Sequence, residues 1–373
     1  MTQLTPHAVT SAFLGSAATA ALLDQGEPFA TIFDPKADNP VPDSELAALR
    51  SRYANFESVN EITKICRNTF GCEPESVLAK SDDAAHANEH LIYFVVPRGS
   101  HKEYVCRIYT GGQPDWYMLV ESLLYGEMRS RGVAAPEAVA VHMRTREQPY
   151  DYIVLEKIGV QTMEARLAAN NDDAELLAER AGEYLGRIHQ IPTSAIRGNG
   201  YFSIGAIAQG DLRALNQTWE DAVNVGVEDT LRYLREQEII DQSFCDAIRA
   251  ALHNHRGLAL SEQRCFLHGD YYNANILLTQ DAQIAGAVDL SQARIGDPAF
   301  DIAFWSTYYS AEQKQAFSRG YQRSGPTIDN LEEKIAYYGL RILLSKAKLR
   351  KRYGTGSIPK AIAGMQQFLS ELH

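Results

Sequence analysis

Hydrophobic and polar positions change rhythm along this chain. Between Ser76 and Glu156 the apolar residues fall in short runs rich in Val, Ile and Tyr: SVLAK, LIYFVVPRG and EYVCRIYT, then Ala138–His142 and Tyr150–Glu156. Such β-branched and aromatic runs predict five strands, the first three in an antiparallel sheet. One helical pattern, from about Asp115 to Arg131, interrupts them, and Gly132 is placed to stop it. Ahead of the strands, Asp43 and Ser44 offer caps for a helix from about Glu45 to Cys66. From Thr162 onward the period is mostly helical, over Glu175–His189, Asn216–Gln237, Asp241–Asn254 and Leu331–Arg352. One island there keeps the strand rhythm. Residues 265–291 read CFLHGDYYNANILLTQDAQIAGAVDLS, and the apolar segments Asn275–Thr279 and Ile284–Leu290 flank a polar turn at 280–283. That pattern predicts a hairpin.

The N-terminus adds an amphipathic helix over Ala12–Leu23 and a Pro- and Asp-rich linker, EPFATIFDPKADNPVP. The expected organisation is an extension and linker over 1–50, a sheet-rich lobe over 51–157 and a helical lobe over 158–373. The length of 373 residues is enough for two cores. A net charge of −11 argues against a nucleic-acid surface, which needs clustered Lys and Arg. It leaves open a solubility role or a cationic partner. The five cysteines, Cys66, Cys72, Cys106, Cys245 and Cys265, are odd in number and lack C-x-x-C spacing, so they read as reduced core residues. A zinc site built on Cys66 and Cys72 is the lesser reading. The Ala12–Leu23 stretch is too short to span a bilayer and no Lys or Arg precedes it, so no membrane and a cytoplasmic location are expected.

The hairpin island carries the unusual chemistry. Asn275 opens its first strand and Asp289 ends its second, so the two should lie side by side. Asp270, five residues before Asn275, can reach the same point through the loop. Two carboxylates and an amide would converge there, a donor set suited to Mg²⁺ shared with nucleotide phosphates. Each residue alone is as readily a turn or cap residue; the spacing of all three is what points to chemistry.

His268-Gly269-Asp270, four residues and Asn275 resemble the H-G-D-x-x-x-x-N loop of the aminoglycoside phosphotransferase and choline kinase-like family. Asp289 resembles that family's metal-binding Asp, and Gly296-Asp297-Pro298 with Asp301 its G-D-P-x-x-D segment. The resemblance is looser over about residues 75–350. It implies an α+β, two-lobed protein-kinase-like fold with a small five-stranded antiparallel N-lobe and a larger helical C-lobe carrying the hairpin. It further implies ATP and Mg²⁺, Asp270 as base, and Asn275 and Asp289 as metal ligands, after the logic of phosphoryl transfer. His268 and Asp301 would brace the loop, and Asp297 would brace it or cap a helix. In the N-lobe, Arg107 of YVCRIY would bind phosphates, held by Glu121 or, alternatively, Glu127 of the next helix. Glu156 and Ile158 would offer main-chain groups to adenine at an interlobe hinge.

Two departures stand out: Arg replaces the family's usual Lys at 107, and the segment SDDAAHANEH has no glycine, leaving Ser81 and Asn88 as phosphate donors beside Asp82 and Asp83. H-G-D in place of H-R-D, and Asp289-Leu-Ser in place of D-F-G, disfavour a protein kinase. A nucleotide- or ligand-binding pseudoenzyme is the other alternative, against which the intact Asp270, Asn275 and Asp289 argue. The expected acceptor is a hydroxyl of a small molecule. Acidic C-lobe residues (Asp172, Asp173, Glu183, Glu220, Asp221, Glu228, Asp229) and the aromatics Tyr271, Tyr272, Trp305, Tyr308 and Tyr309 suggest an amine-bearing one, such as an aminoglycoside-like antibiotic.

Overall fold

The computed structural model describes residues 48, 51–54, 56–79, 90–110, 117–203, 206, 213–354 and 356–372. The expected N-terminal helix, the Pro-rich linker, and Ser81, Asp82, Asp83 and Asn88 lie outside the described residues. The chain divides into one compact unit that ends at Val160 and a second that begins at Gln161.

In the first unit, α1 (Ser58–Phe70) ends where Gly71 takes a left-handed conformation, φ 71°, and its N–H bonds back to Arg67 O. The helix expected over Glu45–Cys66 is therefore displaced and interrupted. Residues 51–54 are helical, Phe56 and Glu57 are not, and α1 runs on to Phe70. Leaving the helix lets Phe56 pack its ring on Tyr150 and Tyr93, at 5.4 and 6.3 Å between centroids.

The strands β1 (Pro74–Ala79), β2 (Leu91–Pro97), β3 (Tyr104–Tyr109), β4 (Ala138–His142) and β5 (Asp151–Glu156) form an antiparallel sheet in the order β1-β2-β3-β5-β4. The helix α2 (Tyr117–Ser130) connects β3 to β4. Ile62, Ile65 and Cys66 of α1 pack on Val95, Cys106, Ile108 and Val154 of the sheet. Side chains alternate along a strand, so Arg107, between Cys106 and Ile108, points to the opposite face.

The second unit opens with β6 (Gln161–Thr162), α3 (Met163–Ala169) and α4 (Ala174–His189), then β7 (Asn199–Phe202), β8 (Ala214–Asn216), α5 (Trp219–Asn224), α6 (Val227–Glu236) and α7 (Gln242–Asn254). There follow β9 (Cys265–Leu267), β10 (Ile276–Leu278), β11 (Ile284–Ala287), β12 (Arg294–Gly296), α8 (Ala299–Ser306), α9 (Ala311–Ser324), α10 (Leu331–Tyr353) and α11 (Ile358–Glu371). The expected hairpin is β10–β11, joined by β6 as a third strand. A four-stranded sheet, β8-β7-β12-β9, with strands three or four residues long, is not marked by the sequence pattern. The single helix expected over Asn216–Gln237 is broken at Val225-Gly226, where Gly226 adopts φ 72°. The fold is thus α+β and kinase-like, with a five-stranded antiparallel N-terminal sheet and a mostly helical C-terminal part.

α4 and α9 pack backbone to backbone. A Cβ on Gly320 would stand 1.8 Å from Glu179 O, and one on Gly182 2.0 Å from Phe317 O. This close seam brings His189 of α4 and Tyr321 of α9 into contact beneath the loop that follows β9. All five cysteines are unpaired thiols, four of them buried, and among the described residues no group of three or more His, Cys, Asp and Glu side chains that could hold a metal is present. No described helix is long and apolar enough to cross a membrane.

Candidate active site

The loop from His268 to Asn275 is fixed from below by one carboxylate. Asp301, at the start of α8 and fully buried, accepts the His268 and Gly269 amides at 2.7 and 2.9 Å. Its Oδ2 also lies 3.2 Å from Nε2 of His189, whose Nδ1 is 2.8 Å from the Tyr321 hydroxyl. Burial alone would raise this carboxyl, but the His189 bond and charge and the Gly269 amide together hold it below the usual carboxylate range. Asp297, also fully buried, accepts the Ala299 amide at 2.9 Å, the Tyr338 hydroxyl at 3.1 Å and the Lys334 ammonium at 2.7 Å. It holds the first amide of α8 and pairs with α10 at once.

Gly269 makes the turn possible. It sits at φ 82°, and a Cβ there would meet Gln292 O at 1.9 Å. His268 spends both ring nitrogens on the backbone, Nε2 donating to Val288 O at 3.1 Å and Nδ1 accepting from the Asp270 amide at 3.4 Å. Asp270 then emerges at the rim and keeps some contact with solvent. The Asn275 amide donates to the Asp270 carbonyl at 2.9 Å and to its Oδ2 at 3.1 Å. The hairpin register pairs Ile276 with Ala287, and the Val288 amide bonds to Asn275 O at 2.9 Å, so Asp289 lies at the same end as Asn275. Asp289 takes a left-handed backbone, φ 65° and ψ 67°, and accepts a long bond of 3.4 Å from the Ser291 amide. Asp270, Asn275 and Asp289 therefore come together as the spacing predicts.

Desolvation raises the Asp270 carboxyl, and the Asp289 charge pushes it the same way; Lys346, His268 and the Asn275 amide pull it back. Two carboxylates that repel each other, with the oxygen of Asn275 turned away from Asp270, form a hard-oxygen donor set that fits Mg²⁺. The set is too small to cage an ion by itself, which suits an ion that also takes phosphate oxygens.

In the first unit, Arg107 and Glu121 form a buried bidentate pair, 3.0 and 2.7 Å, and Tyr125 donates to the same carboxylate at 2.6 Å. The alternative carboxylate, Glu127, instead pairs with Arg131 at 2.6 Å. Glu156 ends β5; its side chain pairs with Lys102 at 2.9 Å and its amide bonds to Glu137 O at 2.8 Å. Ile158, two residues on, is half-buried.

The acids that suggested a cationic acceptor are mostly engaged elsewhere. Asp173 pairs with Arg166, Glu183 with Arg187 and Arg323, Glu228 with Arg249 and Asp229 with Arg232. Of the aromatics, Tyr271 and Trp305 are fully buried, Tyr271 donating to Ala181 O. Tyr309 receives the Asn273 amide, and Tyr308 and Tyr272 reach the surface. The residue that sequence reasoning missed is Lys346 of α10. It lies 57 positions after Asp289 in the chain, and no motif marks it.

Residues 84–333 match the phosphotransferase enzyme family. The fold is similar to that of a thermostable mutant of aminoglycoside phosphotransferase APH(4)-Ia, in ternary complex with ADP and hygromycin B. Identity is 18%, coverage 84% of this chain and 98% of that chain, and the TM-score 0.62. It is also similar to macrolide 2'-phosphotransferase MphH from Brachybacterium faecium, at 14% identity, 84% and 98% coverage and a TM-score of 0.55. A segment of 81 residues is 26% identical to the uncharacterized protein YcbJ of Bacillus subtilis (strain 168), spanning 20% of this chain and 26% of that protein. With the family matched over most of its length and its fold shared with solved phosphotransferases, the chain belongs to the phosphotransferase enzyme family.

Proposed function

We propose that this protein transfers the γ-phosphoryl group of ATP to a hydroxyl of a small molecule, with Asp270 as the base. One observation carries the reading: the Asp270 carboxylate is held by Asn275, faces Asp289, and sits on a loop whose backbone is pinned by the buried Asp301. ADP in the complex of APH(4)-Ia is consistent with a nucleotide co-substrate.

Asn275 and Asp289 would hold Mg²⁺, which when bound draws negative charge from the phosphate oxygens. Arg107 would face the nucleotide phosphates with its planar guanidinium, kept in place by the two-point bond to Glu121. The main chain of Glu156 and Ile158 would meet the adenine edge. Asp270 orients the acceptor O–H and takes its proton as the new O–P bond forms and the bond from the γ-phosphorus to the bridging oxygen breaks. ADP departs with that oxygen. Because the transition state is loose, most of the rate comes from position and charge rather than from strong basicity.

The test is phosphorus NMR on ATP, Mg²⁺ and a panel of hydroxylated compounds. A new phosphoester signal with matched ADP, absent in Asp270→Ala, is the expected result. Nucleotide binding without any phosphoester from the panel would instead assign the protein a binding role.

A further inference from the structure

Lys346 of α10 lies against the aromatic cluster that adjoins the Asp270 loop. Its ammonium is 4.1 Å from the Phe304 ring centroid and 4.4 Å from that of Tyr308, and it donates to the Tyr308 hydroxyl. Tyr308 in turn stacks at 5.6 Å on Tyr272, two residues past Asp270. The ammonium and the Asp270 carboxylate influence each other directly. Arg350, one helical turn further on, adds a second positive charge on the same face of α10.

Its surroundings differ from those of Lys334 and Arg341 on the same helix. Lys334 is neutralised by Asp297 at 2.7 Å, and Arg341 donates to the Val223 and Val225 carbonyls at 2.7 and 2.5 Å. Among the described residues Lys346 makes no ion pair, and Arg350 donates to a carbonyl, that of Ser357 at 2.8 Å. Lys346 is half-buried, and an ammonium that loses part of its hydration among aromatic rings is disfavoured. Burial accordingly pushes the Lys346 amine down to about 8, although Asp270 pulls it up. A fold that carries such a group beside a reactive carboxylate leaves it a partner to find. The acidic residues that favoured a cationic acceptor are largely spent in surface pairs, and a polycation entering here would meet Lys346 and Arg350 as like charges.

We infer that the acceptor is a hydroxyl compound bearing a carboxylate, that Lys346 binds this carboxylate, and that Tyr272 and Tyr308 flank the carbon skeleton. This rests on the phosphotransferase reading above. Lys346 is then a specificity-determining residue: it fixes the acid end so that the hydroxyl reaches Asp270.

The experiment measures acceptor-dependent ADP release at saturating Mg-ATP. The carboxylates are glycerate, β-hydroxybutyrate and para-hydroxymethylbenzoate. The controls are the uncharged glycerol and benzyl alcohol, the cations choline and hygromycin B, and glycerophosphate. At least one carboxylate should exceed its uncharged counterpart and both cations in kcat/KM by about tenfold or more. Lys346→Gln should raise the KM of that carboxylate about tenfold while leaving the KM for ATP unchanged, and Lys346→Arg should restore most of the loss. Preference for a cation or for glycerophosphate, use of no carboxylate, or a Lys346→Gln effect confined to the KM for ATP would each overturn the inference. Calorimetric titration of wild-type protein with Mg-AMP-PNP separates the two levels. Nucleotide binding with the wrong acceptor preference sinks this inference alone, whereas no nucleotide binding sinks the phosphotransferase reading itself.

Discussion

Asp297 and Asp301, beneath the His268–Asn275 loop, are wrapped in donors, whereas Asp270 and Asp289, at its rim, face each other with like charge. Each buried aspartate takes three or more polar contacts from backbone amides, a tyrosine, a histidine or a lysine. At the rim, Asp270 accepts the Asn275 amide at 3.1 Å and is pushed upward by burial and by Asp289. The same residue type, within 32 positions of one stretch of chain, serves two ends. Below, the fold completes its own charge balance, and geometry is fixed. Above, burial and the Asp289 charge push the Asp270 carboxyl up, which a bound cation would relieve. The difference teaches that a carboxylate's role follows from how many of its lone pairs the protein has already used.

Replacing one aspartate at a time tests that division. Asp270→Ala should lower kcat by about 10²–10⁴ while the unfolding midpoint and Mg-AMP-PNP affinity stay near wild type. Retention of half the wild-type kcat would remove Asp270 from the rim's chemistry. Asp301→Ala should instead cost about 3–5 kcal/mol in urea unfolding, because it strands buried donors. Its sign with pH is fixed. A carboxyl held low in the folded protein stabilises above its unfolded pKa, and that contribution is lost as pH falls through the folded value. The gap between wild type and Asp301→Ala should therefore narrow in acid, and a gap that widens there would contradict the assignment. Equal loss of stability in Asp270→Ala and Asp301→Ala would erase the distinction altogether.

Two weaker effects sharpen the comparison. Asp289→Asn keeps the shape but removes the charge, and calorimetry should show Mg-AMP-PNP affinity down roughly 10–100-fold, with binding in EDTA unchanged. An identical loss with and without Mg²⁺ would exclude Asp289 as a ligand. The smallest effect concerns Lys346, whose ordinary value of 10.5 falls to about 8. As pH rises through about 8 the ammonium is lost, so the KM for a carboxylate acceptor should climb a few-fold, and Lys346→Arg should flatten the rise. A KM that falls over the same range would reverse the sign of the charge at the acceptor site.

The rim and the floor were both legible in the chain because their residues are close in sequence and held by short turns. H-G-D, Asn275, Asp289 and Asp301 are spaced by a hairpin whose length sets their positions. Arg107 and Glu121 were readable for a different reason: strand alternation and the following helix limit which side chains can meet. What escaped notice depends on packing between distant segments. β7, β8, β9 and β12 are too short to leave a periodic trace. Gly226 divides a helical pattern that its neighbours otherwise continue. Lys346 belongs to a run of basic residues on α10, and only the folding of α10 onto α8 selects it from Lys348, Lys351 and the rest. The acids of the C-terminal half show the same limit, since a sequence gives their charge but not the arginines that meet them.

The left-handed backbone at Asp289 has an evolutionary consequence. Aspartate tolerates φ 65° better than most residues, but glycine tolerates it better still. Glycine at 289 would relieve that strain and lose roughly 0.5–1 kcal/mol in chain entropy, so the two effects nearly offset. An aspartate codon becomes a glycine codon by one base change. Such a change would pass almost unnoticed by any selection acting on folding, yet it would remove the carboxylate proposed to hold the metal. Drift in this lineage can therefore silence the proposed reaction in one step while the protein continues to fold, and only demand for its product would keep aspartate at this position.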